Sequence, residues 1–69
     1  MTVTRHFEGG LSVTATSLAE ASGTVSWYCE IFREGAPLFN CVIPEADSAT
    51  EAFALARARW ENWKIAQRP

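Results

Sequence analysis

The chain has 69 residues, a formal net charge of −2, and a hydrophobic fraction of 48%. This length predicts one domain, residues 1–69, with a small core, since chains of about 60 residues bury only about 60% of their unfolded surface. The composition is typical of a globular domain and unlike that of a disordered chain. No stretch approaches the ~20 apolar residues of a membrane span. The negative net charge gives no overall attraction for nucleic acid. Without an apolar leader, the protein is expected to be cytoplasmic, with free thiols.

The first predicted element is a β-hairpin that turns at Glu8-Gly9-Gly10. A three-residue loop ending in glycine places the odd-numbered residues on one apolar face. It pairs Phe7 with Leu11, Arg5 with Val13 and Val3 with Ala15. A two-residue Gly-Gly turn would instead divide the apolar residues between the two faces, because one step of register exchanges the faces.

The segment after this hairpin, 17–23, has two readings. Ser17 and Glu20 have the spacing of a capping box, and Gly23 is a suitable end for a helix. We therefore expect either one short helical turn between strands 2 and 3 or a plain loop.

A second hairpin is predicted around residues 33–35. With Arg33-Glu34-Gly35 as its loop, the facing pairs are Ile31 with Pro37, Cys29 with Phe39 and Trp27 with Cys41. The resulting odd face is entirely apolar and comprises Val25, Trp27, Cys29, Ile31, Phe39, Cys41 and Ile43. The two cysteines are then diagonal neighbours, about 7–8 Å apart and too distant for a relaxed disulfide. A loop at 34–36 would set them directly opposite each other, where a bridge is sterically feasible; we expect packed, reduced thiols.

The last element is a C-terminal helix over residues 49–67. Ser48 and Glu51 predict a capping box at its start, and strong helix formers follow. The helix has an apolar stripe formed by Ala49, Ala52, Phe53, Ala56, Trp60 and Trp63. Its alanines allow close approach to the sheet, and its two indoles fill the wider end. The fold class is therefore α+β: a four-stranded antiparallel meander with one helix on one face, in the order ββββα.

The uncovered, even-numbered face of the sheet is the main candidate for function. On the second hairpin it carries four large apolar residues: Tyr28, Phe32, Leu38 and Val42. Such a group on a small domain indicates a contact surface. We expect a non-catalytic protein-interaction or self-association module, with a protein partner or a homodimer bound at these residues.

Two alternatives involve the helix end. Residues 56–69 carry a net charge of +3, whereas residues 1–55 carry −5. Arg57, Arg59 and Lys64, interleaved with tryptophans, could form a weak nucleic-acid-binding patch. A small apolar ligand between the Trp60 and Trp63 end of the helix and the sheet is the lesser alternative.

Catalytic, metal and cofactor sites are not expected. His6 is the one histidine, and the predicted sheet places it on the face opposite to Cys29 and Cys41. The cysteines are twelve residues apart, unlike the short spacings of zinc sites. The glycines belong to turns and do not open a helix as a phosphate-binding loop does.

The stretches "SWYCEIFREG" and "SATEAFALARARW" resemble short bacterial domains in which an aromatic strand, a glycine turn, a second strand and a helix follow in order. No activity is implied by that resemblance. The same order is similar to the arm-binding domains of phage integrases and to AP2-type domains, which implies DNA contact through the sheet. The sheets of those domains expose arginine and lysine, whereas this one has Tyr28, Glu30, Phe32, Leu38, Asn40 and Val42 there.

Overall fold

The computed structural model describes residues 1–67 and confirms the predicted fold class. Its elements are β1 (Thr2–His6), a 3-10 turn (Glu8–Gly10), β2 (Leu11–Ala19), β3 (Val25–Arg33), β4 (Ala36–Ile43) and α1 (Ala49–Ala66). The strands form one antiparallel sheet in the order β1-β2-β3-β4. In the described residues, no helix is long and apolar enough to cross a membrane.

The first hairpin has the predicted register. Val3 faces Ala15 and Arg5 faces Val13, and the backbone N–H of Phe7 donates to the Leu11 carbonyl at 2.7 Å. Gly9 and Gly10 both have positive φ, 75° and 74°, which glycine adopts without steric cost. This loop forms the 3-10 turn of the fold.

Of the two readings of segment 17–23, the plain loop is confirmed and the short helical turn is wrong. β2 continues to Ala19, and residues 20–24 form a plain turn in which the Gly23 N–H donates to the Glu20 carbonyl at 3.0 Å. Ser17 is unavailable as a cap, because its hydroxyl accepts from the Met1 amino group at 2.9 Å. The Glu20 carboxylate accepts from the Ser26 hydroxyl instead.

The predicted register of the second hairpin is also wrong, although its face assignment is right. The turn has two residues, Glu34 and Gly35, with φ of 50° and 83°. Phe32 faces Pro37 while Ile31 faces Phe39, so Leu38 is an extra residue in β4. This β-bulge compensates for the shorter turn, and a proline is tolerated there because it has no ladder N–H to lose. Cys29 consequently lies directly opposite Cys41.

The core lies between the odd face of the sheet and α1, which packs mainly on β2, β3 and β4. Its buried residues are Leu11, Val13, Ala15, Trp27, Cys29, Ile31, Ile43, Ala46, Ala52, Phe53, Ala56 and Trp60. The Ser48 hydroxyl accepts from the Glu51 N–H at 3.2 Å, which confirms the predicted cap. The two tryptophans differ: Trp60 is buried, whereas Trp63 is 45% exposed and lies against Phe39.

Candidate interaction surface

The outer face of the sheet is the side that α1 leaves uncovered. The strand register arranges its residues in three rows that cross all four strands. The rows are Thr2-Thr16-Tyr28-Val42, Thr4-Thr14-Glu30-Asn40 and His6-Ser12-Phe32-Pro37. We call the surface formed by these twelve residues, together with Leu38, the outer face.

The β1–β2 half of the outer face is polar and internally hydrogen-bonded. The hydroxyl oxygens of Thr2 and Thr16 are 3.1 Å apart, and those of Thr4 and Thr14 are also 3.1 Å apart. Cross-strand threonine pairs of this kind stabilise the sheet. This half therefore offers a flat, hydrogen-bonded surface of methyl and hydroxyl groups.

The β3–β4 half brings the four predicted contact residues into two groups. Tyr28 and Val42 are a direct cross-strand pair. Pro37 and Leu38 together oppose Phe32 at the bulge, which forms the second group. Leu38 and Val42 are 38% and 45% exposed, and Tyr28 and Phe32 are half-buried.

A polar pair, Glu30 and Asn40, separates the two apolar groups. Desolvation and the neighbouring Glu30 carboxylate raise the pKa of Tyr28 above its ordinary value. The outer face thus carries one acid near its middle, with aromatic and aliphatic groups on both sides.

Two of the three bases of the nucleic-acid alternative have acidic partners within the chain. Arg59 donates to the Val42 carbonyl at 2.8 Å and pairs with Glu45 at 2.6 Å. Lys64 pairs with Glu61 at 3.1 Å and lies 4.0 Å from the centre of the Trp60 ring.

Arg57 lies on a different part of the surface, with its guanidinium carbon 4.5 Å from the centre of the Phe7 ring. The three bases therefore do not form one continuous patch. Arg68, which contributes to the basic end of the sequence, lies outside the described residues.

Both cysteines are free thiols. Cys29 is fully buried, and its thiol donates to the Ala52 carbonyl at 3.9 Å. Burial raises the pKa of the Cys29 thiol to about 11 and also raises that of Cys41. Since the thiolate is the reactive form, both are weak nucleophiles at neutral pH. His6 lies on the outer face, opposite Ser12, and so faces away from them.

No cluster of three or more potential metal ligands occurs among the described residues. Within the part of the chain that the structure describes, open grooves occur whose lining does not include Trp60 or Trp63. They lie beside Phe7 and His6, beside Trp27 and Pro44, and between Arg5 and Arg57.

The groove between Arg5 and Arg57 was not predicted from the sequence. The one signal that could have indicated it is Arg5, a charged residue on an otherwise apolar face of the sheet.

Comparison with known proteins does not assign this chain to a family. No family model, curated protein or solved structure matches the chain.

Proposed function

We propose that this protein is a non-catalytic interaction module that associates with a second copy of itself through the outer face. The observation that supports this most is that a whole sheet face remains uncovered while its β3–β4 half carries Tyr28, Phe32, Leu38 and Val42. Monomeric surfaces seldom group large apolar side chains in this way unless the group serves for contact.

The size of the outer face suits such a contact. The strands have five to nine residues each, and at about 3.3 Å per residue and about 4.8 Å between strands the whole sheet has a flat area of roughly 500 Å². A standard interface covers about 800 Å² of accessible surface on each partner. The accessible surface of the chain is 4528 Å², so an interface of that size would take about a sixth of it.

The small core provides a reason for association. Below about 70–80 residues, one core contributes no more than about 3–5 kcal/mol of stability. Each 100 Å² of apolar surface removed from water adds about 2.5 kcal/mol, although association also costs entropy. Contact between two outer faces would bury the exposed parts of Leu38 and Val42 without any change in the fold.

Sedimentation equilibrium over a range of protein concentrations tests the proposal. We expect a concentration-dependent dimer whose dissociation constant rises at least tenfold in Phe32→Ser and in Leu38→Ser. Ile65→Ser is the matched control, because Ile65 is 61% exposed but lies on α1, away from the outer face. A monomer at every concentration, or an equal effect of all three substitutions, would contradict self-association through this face.

Nucleic-acid binding through Arg57, Arg59 and Lys64 has less support. Two of these three bases already have acidic partners within the chain. An exposed ion pair can open at a small free-energy cost, but only one of the two tryptophans in the described part of this helix end is exposed for stacking, since Trp60 is buried and Trp63 is half-exposed.

A further inference from the structure

A groove lies between β1 and α1, on the side of the molecule opposite to the outer face. It exists because α1 packs mainly across β2, β3 and β4 and leaves the inner side of β1 incompletely covered. Its volume is about 180 Å³. The lining residues, none of them acidic, are Arg5, Phe7, Thr50, Phe53, Ala54 and Arg57.

The two arginines are held by reciprocal stacking across the groove. Arg5, from β1, has its guanidinium carbon 5.1 Å from the centre of the Phe53 ring on α1. Arg57, from α1, lies 4.5 Å above Phe7 at the end of β1. Phe53 and Arg57 are four residues apart on the helix and so share one side of it. Each guanidinium therefore lies over a ring from the other wall.

Neither guanidinium group has an acceptor for its N–H groups among the described residues. Each arginine has five N–H donors in its plane. Within residues 1–67, the ion pairs are Arg59 with Glu45 and Lys64 with Glu61, and no side-chain hydrogen bond is donated by Arg5 or Arg57. In a chain with a net charge of −2, this groove thus brings together two positive charges that have no acidic partner within residues 1–67.

We propose that this groove binds a phosphate monoester or a similar small tetrahedral dianion. The two guanidinium forks can share the three terminal oxygens of a phosphate monoester, and their combined charge of +2 matches that of the dianion. A single carboxylate has one charge and two oxygens, which one fork already satisfies. The Thr50 hydroxyl can add a further donor, and the two phenyl rings offer apolar contact to the organic part of an ester.

Titration of the 15N-labelled full chain, followed by NMR, tests this assignment. The probes are inorganic phosphate and phenyl phosphate, added at constant ionic strength set with sodium chloride. We expect saturable shifts of amides and arginine Nε–H groups around the groove, with phenyl phosphate binding more tightly. R5Q and R57Q should each weaken binding at least tenfold.

R33Q is the matched control, because Arg33 is an exposed arginine that does not line the groove and its replacement changes the charge equally. It should alter the dissociation constant by less than twofold. The spectrum of each variant reports whether the fold is retained, and R57Q, on the exposed side of α1, serves if R5Q does not fold.

Several outcomes would overturn the proposal. Shifts that do not saturate, or an equal loss in R33Q, would mean diffuse attraction and an adventitious ion only. If a single-stranded oligonucleotide binds these residues more tightly than phenyl phosphate does, the ligand of the groove is a nucleic acid and the proposal of a small phosphate ester is wrong. Since the groove and the outer face are on opposite sides, Phe32→Ser should leave phosphate binding unchanged, and the two proposals can fail separately.

Discussion

At the scale of single residues, the facing thiols are the most distinctive chemical feature. Cys29 and Cys41 lie directly opposite each other on neighbouring strands, yet both remain free. The buried member has a pKa of about 11, so it reacts slowly with oxidants and alkylating agents at neutral pH. Their contribution at neutral pH is therefore that of small apolar groups in the core.

This raised pKa predicts a loss of stability in alkaline solution. The ordinary thiol pKa is 9.0 and that of Cys29 in the fold is about 11. Between these values the unfolded chain loses the proton while the folded chain keeps it, so the free energy of unfolding falls as pH rises. Stability is fully present below pH 9 and declines by up to about 2–3 kcal/mol toward pH 11.

Urea denaturation at several pH values measures this effect. The free energy of unfolding should fall less steeply with pH in Cys29→Ala than in the wild type. This difference in slope is expected even though the smaller side chain also lowers the stability of the variant at every pH. Cys41→Ala, which changes a partly exposed thiol, should alter the slope less. Parallel slopes in the wild type and Cys29→Ala would contradict a raised pKa at Cys29.

At the scale of elements, α1 holds the sheet through one buried indole and supports a second at the surface. Trp60 is 5% exposed, whereas Trp63 lies at the β4 side with its ring centre 5.7 Å from that of Phe39. The buried part of the apolar stripe of α1 therefore ends at Trp60, and Trp63, the next residue of the stripe, makes its contact at the surface. The two residues provide a matched pair of the same type on the same helix.

We expect Trp60→Ala to be far more damaging than Trp63→Ala. Removal of a buried tryptophan costs about 3–5 kcal/mol, which approaches the whole stability of a core this small. Trp63→Ala removes a half-exposed ring and one aromatic contact, and should cost about 1 kcal/mol. Circular dichroism during thermal unfolding measures both, and similar melting temperatures for the two variants would refute this division.

The elements also show what the sequence could predict. The odd-numbered apolar residues predicted the inner face, because alternation in a strand depends only on the pleat. The exact partner of each residue in the second hairpin was not predictable in this way. A two-residue turn with a bulge at Leu38 and a three-residue turn without one give the same alternation, and only the packing of Phe39 and Cys41 against the helix distinguishes them.

The candidate site was predictable to a similar degree. Tyr28, Phe32, Leu38 and Val42 could be assigned to the outer face by their even numbers. Their division into two groups by Glu30 and Asn40 depends on the register, and so required the structure. The groove between β1 and α1 depends on the lateral position of the helix, which no local pattern specifies.

At the scale of the whole molecule, two bases of the basic end of the chain, Arg59 and Lys64, are compensated by acids. Residues 1–55 carry a net charge of −5 and residues 56–69 carry +3. Ion pairs link Arg59 to Glu45 and Lys64 to Glu61. The attraction that a polyanion would feel for the helix end is reduced accordingly.

We therefore expect no saturable binding of a labelled oligonucleotide at about 50 mM salt. The double variant Glu45→Gln and Glu61→Gln, which releases both bases, should gain a weak, salt-sensitive affinity. Fluorescence anisotropy measures both proteins. A wild-type affinity that falls steeply with salt and disappears when Arg57, Arg59 and Lys64 are replaced by glutamine would restore the nucleic-acid alternative.

The irregular β4 has a consequence for how copies of this protein can assemble. Pro37 has no backbone N–H to offer, the additional Leu38 disturbs the ladder, and Arg59 already occupies the Val42 carbonyl. A further strand cannot easily be added along that rim, which is how many proteins resist fibre growth. Two molecules joined sheet to sheet would each have used the same outer face, which is then closed to a third copy.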